Sequence, residues 1–190
     1  MQSIEIKGTV RTELGKKSTK ALRNEGQVPC VIYGGEENIH FTAPESEFRN
    51  VIYTPNVYLI NVNVDGKVYS TVLQDKQFHP VKEQLLHADF LQISDGKPVT
   101  IEIPVVLNGF AEGVKAGGKL QLEKRKLKVS ALAKDLPDTL DITIDELGLG
   151  STIQVGDLSY NNLEMLNAKN AVVVAVRLTR AARAAQQAGE

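Results

Sequence analysis

Short segments in which apolar and polar residues alternate constrain the fold of this chain more than any other feature. Between residues 4 and 10, every second residue is apolar or glycine, namely Ile4, Ile6, Gly8 and Val10. Alternation with a period of two places such a set on one face of a β-strand. Similar apolar segments follow at residues 28–33, 39–42 and 85–90. The sequence therefore predicts a mainly β fold.

The dipeptide Asp65-Gly66 separates two further predicted strands, at residues 56–64 and 67–76, and is the strongest turn signal in the chain. A type I′ hairpin turn needs positive φ at both central positions, which aspartate and glycine tolerate. Two short helices are also expected, one over residues 16–25 and one that opens at Pro44. Short strands, two short helices and the absence of a βαβ rhythm favour a small antiparallel β-barrel.

A polar break at residues 92–97 divides the chain in two. The sequence predicts a barrel domain at residues 1–92 and a β-rich C-terminal domain at residues 93–178, which ends with an apolar strand at residues 171–176. The tail at residues 179–190 is rich in alanine and glutamine. Such a stretch is only marginally helical by itself, so we expect a flexible tail.

Composition excludes several classes of function. No apolar run approaches the roughly 20 residues that a membrane helix needs, and no signal peptide is expected from the N-terminal residues. Cys30 is the single cysteine, so an internal disulfide is excluded and a reducing cytoplasm is the expected location. Cys30 and the three histidines match no zinc-binding spacing, and we expect neither a metal nor a cofactor.

The distribution of charge differs from its total. The formal net charge of −1 argues against a nucleic-acid partner, but six basic residues and one acid lie between Lys7 and Arg23. A polyanion responds to the local potential within about 8–10 Å rather than to the chain total. On a helical wheel Lys16, Lys20 and Arg23 fall within about 60° of one another, opposite Leu22. The first helix is expected to pack through Leu22 and present three cations, although an ordinary solvated face is the alternative.

Two glycine-rich or basic stretches are interpreted as structural. Residues 113–119 resemble a phosphate-binding loop, but Leu120 replaces the Ser or Thr that holds Mg²⁺, and the following residues alternate like a strand. A glycine-bearing turn is expected instead. The basic run at residues 124–128 predicts a solvated strand edge that discourages aggregation, with a nucleic-acid contact as the alternative.

Three side chains with reactive or polar groups have two possible roles. Cys30 lies in an apolar strand, where a small buried hydrophobe is expected rather than a nucleophile. His87 and Asp89 share the outward face of a predicted strand whose residues Leu86, Ala88 and Phe90 point inward. The pair is either a ligand contact or an ordinary surface ion pair.

The first 92 residues contain a series of short motifs whose order along the chain is informative. They are Val10-Arg11, Gly15-Lys16, Leu22-Arg23, Val28-Pro29, Tyr33-Gly34-Gly35, Gln74-Asp75, Gln77-Phe78-His79-Pro80 and His87-Ala88-Asp89-Phe90. In this order they resemble the bacterial family of large-subunit ribosomal protein number twenty-five, which binds 5S rRNA. The second half resembles the additional domain of the long form of that family, general stress protein CTC, at Leu107-Asn108-Gly109, Glu112-Gly113-Val114, Gly117-Gly118, Asp135-Leu136-Pro137 and residues 147–158.

The resemblance implies an N-terminal β-barrel that contacts an internal-loop helix of 5S rRNA, a β-rich second domain and no enzymatic activity. The implied partners are 5S rRNA and other components of the large ribosomal subunit, with no membrane and no small-molecule substrate, on cytoplasmic ribosomes. Carried over by position, the implied RNA-binding residues are Arg11, Lys16, Thr19, Lys20, Arg23, Tyr33, Gln74, Asp75, His87 and Asp89.

Two positions depart from the family pattern. Lys20-Ala21 stands where two arginines are common, and Phe78 stands where a basic residue is common. A lysine keeps the charge of an arginine but lacks the planar fork that grips phosphate, so RNA binding is expected to be weaker or supplemented by the second domain. Two alternative functions are a stress-associated binding protein with no permanent place on the ribosome and an enzyme with a pocket in the second domain.

Overall fold

The computed structural model describes residues 2–94, 96–180 and 182–183. The chain forms two compact units: one combines the residues up to Ile101 with Leu132–Asp138, and the other combines Glu102–Ala131 with the residues from Thr139 onward. In the described ranges, no helix has the length and apolar character needed to cross a lipid bilayer. Most of the predicted flexible tail lies outside the described residues.

The first unit contains a closed barrel of six strands. They are β1 (Gln2–Val10), β2 (Gln27–Tyr33), β3 (Ile39–Pro44), β4 (Tyr58–Val64), β5 (Lys67–Phe78) and β6 (Leu85–Gln92). Their order around the barrel is β1-β3-β2-β6-β5-β4, and β4 pairs with β1 to close it. The predicted barrel is confirmed, although the β1–β4 and β2–β6 ladders are parallel while the other four are antiparallel.

Alternating apolar residues fill the barrel, with three phenylalanines at its centre. The rings of Phe41 and Phe48 lie 5.7 and 6.2 Å from the ring of Phe90, measured between centroids. Burying these rings removes a large apolar area from water and provides much of the driving force for folding. The core also includes Ile6, Cys30, Ile32, Ile60, Val62 and Ala88, each at 1% exposure or less.

Two residues expected in this core lie elsewhere. Val10 is 49% exposed, because β1 ends there and its backbone nitrogen donates to the Asp65 carboxylate at 3.1 Å. Leu86 is half-buried, and Leu85 takes the inward position instead. A shift in the β5–β6 register between Gln77 and Phe78 accompanies this exchange.

Short helices and tight turns connect the strands as predicted. The first helix, α1, spans Lys16–Asn24 and packs against β2. A 3-10 turn at Glu45–Phe48 runs into α2 at Arg49–Ile52. Asp65 and Gly66 join β4 to β5 with φ values of 48° and 90°, which confirms the predicted hairpin turn.

The second half is rich in strands, as expected. Its strands are β7 (Val99–Asn108), β8 (Lys119–Leu122), β9 (Lys126–Ala131), β10 (Leu140–Thr143), β11 (Thr152–Gln154), β12 (Glu164–Met165) and β13 (Val172–Arg177). They form one sheet in the order β10-β7-β9-β12 and another in the order β11-β13-β8. One helical turn, α3 (Glu112–Lys115), and a 3-10 turn at Val155–Asp157 lie between strands.

The glycine-rich stretch before β8 is a structural turn, in agreement with the prediction. Gly113 is buried, and a Cβ added there would lie 2.5 Å from the carbonyl carbon of Gly148. Gly117 has a φ of 88°, a conformation that glycine adopts without strain. These glycines allow a close backbone approach.

The strand edge predicted for residues 124–128 holds only in part: β9 as a whole is an interior strand, but β12 pairs with Val129 and Ser130, beyond the basic run. Lys126 and Lys128 lie on β9, which has β7 on one side and β12 on the other. Lys124 precedes the strand and is half-buried. Neighbours in a sheet depend on long-range pairing, which the local sequence pattern does not contain.

Candidate nucleic-acid interface

Three neighbouring strands of the barrel bring Tyr33, Asp75 and Asp89 together. Asp89 of β6 lies opposite Val31 of β2 on one side and opposite Asp75 of β5 on the other. Burial, together with the negative charges of Asp89 and Asp75, raises the pKa of the Tyr33 hydroxyl. The phenol therefore stays neutral at physiological pH and is available as a hydrogen-bond donor.

His87 and Asp89 form a pair on the outward face of β6. The Nδ1 atom of His87 lies 2.5 Å from Oδ1 of Asp89, and the two side chains are 29% and 31% exposed. Both face outward because Ala88 and Phe90, which alternate with them, are buried in the barrel. The contact orients the imidazole and leaves its Nε2 atom for another partner.

A bulge in β5 exposes a further polar side chain beside this pair. The ladder to β6 shifts between Leu73 and Asp75, so Gln74 has no opposite residue. Two residues beyond Asp75, Gln77 is exposed and lies opposite His87, although it was not among the predicted residues. Only the strand register identifies Gln77, since its sequence neighbours do not reveal which residue it faces.

Arg11, at the start of the loop that joins β1 to α1, is held by contacts with that loop, with α1 and with β3. Its Nη2 atom donates to Thr19 Oγ1 at 3.2 Å and to the Glu13 carbonyl at 3.4 Å, and its backbone nitrogen donates to the His40 carbonyl at 2.9 Å. Its Nε atom is buried without a hydrogen-bond partner among the described residues. Arg11 is therefore half-buried and braces this loop, whereas the alternation at the N-terminus places it opposite the apolar face of the predicted strand and so predicts an outward side chain.

The predicted cationic face of α1 is correct for two residues and wrong for the third. Lys16 and Lys20 are exposed, and Leu22 is half-buried against the barrel side. Arg23 instead donates from Nε and Nη2 to the carbonyl oxygen of Leu86, at 3.0 and 2.8 Å. Leu86 precedes the first residue of β6 that pairs with β2, which leaves its carbonyl for a side-chain donor. A helical wheel contains no information on such distant acceptors.

These contacts bring most of the predicted residues onto one surface, with Arg23 as the exception. The backbone nitrogen of Arg11 donates to the carbonyl of His40, which lies opposite Val31 of β2. Val31 lies opposite Asp89 of β6, and Asp89 lies opposite Asp75 of β5, so that the five residues form a row across neighbouring strands. Neighbouring strands lie about 4.8 Å apart, so the row spans roughly 20 Å. We call this row, with the adjoining Tyr33, Gln74, Gln77 and His87 and the exposed side of α1, the candidate surface.

The chemistry of the candidate surface suits a polyanion that also carries hydrogen-bonding groups. Lys16 and Lys20 provide cations, while Tyr33, Gln74 and His87 provide hydrogen-bonding groups. Asp75 and Asp89 would repel phosphate, so they fit only a donor such as a base amine or a ribose 2′-hydroxyl. In the described ranges, no three His, Cys, Asp or Glu side chains are arranged to hold a metal ion.

Cys30 is a core residue, as predicted. It is 0% exposed, and its Sγ donates to the Val28 carbonyl at 3.5 Å. Burial raises the pKa of the thiol far above its usual value. The nucleophilic thiolate is therefore strongly disfavoured at neutral pH.

Comparisons with known proteins agree with the two halves of the chain. Residues 6–90 match the Ribosomal L25p family, and residues 98–180 match the C-terminal domain of ribosomal protein TL5. A protein named large ribosomal subunit protein bL25 in Bacteroides fragilis is 55% identical over 193 residues, covering 99% of this chain and 98% of that protein. Proteins of the same name in Phocaeicola vulgatus and Porphyromonas gingivalis are each 53% identical, covering 97% of this chain and 97% of the relative. The chain belongs to the bL25 family of large ribosomal subunit proteins, in its long two-domain form.

Proposed function

We propose that this chain binds 5S rRNA through the candidate surface of its barrel, on ribosomes in the cytoplasm. As a member of the bL25 family it is a structural component of the large ribosomal subunit and not an enzyme. One observation carries the proposal: residues that lie far apart in the sequence, such as Arg11, Asp75 and Asp89, fall on one row across neighbouring strands.

The candidate surface separates two kinds of RNA contact. Lys16 and Lys20 on α1 are exposed cations that fit phosphates, which position a protein on RNA without reading its sequence. Tyr33, His87 and Asp89 lie on the barrel wall and fit base edges or 2′-hydroxyls. An internal loop widens the grooves of an RNA helix and makes such groups accessible.

The most direct test is a gel-shift titration of the full chain with 5S rRNA and with an unrelated RNA duplex. The double variant Lys16→Ala/Lys20→Ala should reduce the slope of log K against log salt by roughly 0.7–0.9 for each cation, on both RNAs. Lys67→Ala/Lys82→Ala removes the same charge from exposed positions outside the candidate surface and serves as the control. Equal losses in the two variants would contradict the proposed surface.

We also propose that residues 1–92 form the RNA-binding domain and residues 93–178 the second domain. All six barrel strands end by Gln92, and every residue of the candidate surface precedes that position. The fragment 1–92 should therefore fold and bind 5S rRNA with the affinity of the full chain. A fragment that folds, as circular dichroism would report, and yet fails to bind would place part of the surface in the second domain.

Sedimentation distinguishes this role from that of a stress-associated binding protein. A resident component of the large subunit should migrate with that subunit in a sucrose gradient, both in growing and in stressed cells. A mainly free pool during growth would favour the alternative.

A further inference from the structure

An open cavity of about 700 Å³ lies in the second unit, and none of its lining residues belongs to the candidate surface. Its lining comes from β11, β13 and the segment that joins β8 to β9. Three cations and one carboxylate stand around it, namely Lys124, Arg177, Arg183 and Glu123. The cavity therefore carries a formal excess of two positive charges, which the proposed contact with 5S rRNA does not use.

Backbone contacts and one ion pair hold this cavity in shape. The backbone nitrogens of Glu123 and Lys124 donate to the carbonyl oxygen of Val173 at 2.9 and 3.3 Å, which ties the segment after β8 to β13. Arg177 Nη2 donates to Glu123 Oε1 at 2.7 Å. Ala175, two residues before Arg177 on β13, lines the cavity with a side chain small enough to leave it open. The arrangement is ordered by the sheet and not by the charged side chains alone.

The cations of the cavity are not all neutralised by the protein. Arg177 pairs with Glu123, the one carboxylate among the lining residues. Neither Lys124 nor Arg183 forms an ion pair with another residue in the described ranges. Two cationic residues that line one concave space suit an anion with several acceptor oxygens. Thr152 also lines the cavity and adds a hydroxyl group.

We infer that this cavity binds the phosphodiester backbone of rRNA, and that the second domain thereby makes an RNA contact of its own. The chain is a component of the large ribosomal subunit, where rRNA phosphate is the abundant polyanion. A volume of about 700 Å³ falls within the roughly 300–1,000 Å³ of pockets for small ligands. It suits a nucleotide of a loop or single strand and is too small for a duplex.

A binding assay with the full chain isolates this second contact. The protein is first saturated with unlabelled 5S rRNA, and the labelled probe is the long rRNA purified from the large subunit. The parent chain should still bind this probe. The double variant Lys124→Ala/Arg183→Ala should bind it roughly tenfold more weakly near 0.1 M salt, with a smaller salt slope, because two phosphate contacts are lost.

The matched control is Lys126→Ala/Lys128→Ala, which removes two charges from the same basic run at positions that do not line the cavity. This control should bind the long rRNA like the parent chain. Equal weakening in both double variants would overturn the proposal, because it would reflect general charge rather than the cavity. Binding of both variants to 5S rRNA should stay unchanged, which verifies the fold and keeps the result independent of the barrel contact.

Cross-linking in intact large subunits tests the nature of the partner. Ultraviolet irradiation should attach nucleotides to peptides that contain Lys124 or Arg183. If a carboxylate-to-lysine reagent instead links Lys124 to acidic residues of another protein and no nucleotide is attached, the partner is an acidic protein segment and the RNA assignment is overturned.

Discussion

The guanidinium of Arg23 donates two hydrogen bonds to one oxygen atom, the carbonyl of Leu86, at 3.0 and 2.8 Å. These bonds join α1 to β6 at the residue that precedes His87. They set the position of the exposed Lys16 and Lys20 relative to the polar side chains of the barrel wall. One cation of α1 thus organises the candidate surface from within the protein.

Replacement of Arg23 should therefore lower the stability of the fold rather than the salt dependence of RNA binding. Arg23→Ala removes two hydrogen bonds from a charged donor, and we expect the free energy of unfolding to fall by about 1–2 kcal/mol in urea titrations. Lys20→Ala on the same helix is the control, and it should leave the free energy of unfolding unchanged while reducing the salt slope for RNA. An Arg23→Ala chain with parental stability and a reduced salt slope would instead identify Arg23 as a phosphate contact.

His87→Ala and Asp89→Ala should impair specific recognition rather than general attraction. Each should cost about 1–3 kcal/mol in binding to 5S rRNA and barely alter the salt slope, because neither group is expected to neutralise a phosphate. The comparison is a salt titration on 5S rRNA and on an unrelated duplex. Parental affinity of both variants for 5S rRNA would reduce the pair to an ordinary surface contact.

Tyr33 should ionise at a higher pH in the folded chain than in the unfolded chain. Its pKa is raised above the ordinary value of 10.0, so the folded state favours the neutral phenol. The resulting contribution to stability is fully present below pH 10.0 and is lost as the pH rises through the higher, folded pKa. In an ultraviolet titration of tyrosinate against pH, Tyr33→Phe should remove a transition at the high-pH end of the curve. Tyr58→Phe should remove one at the low-pH end, because hydrogen bonds from Thr54 and Asn56 lower the pKa of Tyr58.

Cys30 should be inert in the native chain. Alkylating reagents at neutral pH should modify it only after urea unfolds the barrel, since the thiol is buried and its pKa is raised. Cys30→Ala should cost about 1–2 kcal/mol of stability or less and leave affinity for 5S rRNA unchanged. Rapid stoichiometric labelling of the folded chain would show that the barrel opens at β2.

Local patterns in the sequence identified much of the barrel. Alternation predicted the strands and most of the inward residues, and Asp65-Gly66 predicted the hairpin that the φ values confirm. These features depend on backbone preferences within a few residues, which a sequence displays directly. The same holds for the short helix over Lys16–Asn24.

Features that depend on distant residues were beyond such patterns. The interior position of β9, the bulge at Gln74 and the register that sets Gln77 opposite His87 all arise from pairing between strands. The acceptor of Arg23 is 63 residues away in the sequence. The sequence therefore identified most residues of the candidate surface, mainly through the family resemblance, whereas Gln77 and the arrangement of the residues follow from the fold.

The parallel pairing of β1 with β4 has a consequence for the nascent chain. β1 meets β3 only at Thr9 and Val10, whereas its residues from Gln2 to Gly8 all pair with Tyr58–Val64. During translation β1 emerges from the ribosome before its main partner β4, which is synthesised more than fifty residues later. Closure of the barrel is thus a late, long-range event, and long-range pairing is slow because chain entropy is lost before contacts form. Until then the first strand keeps an open hydrogen-bonding edge, so the newborn protein depends on prompt synthesis through β6 to avoid pairing with other chains.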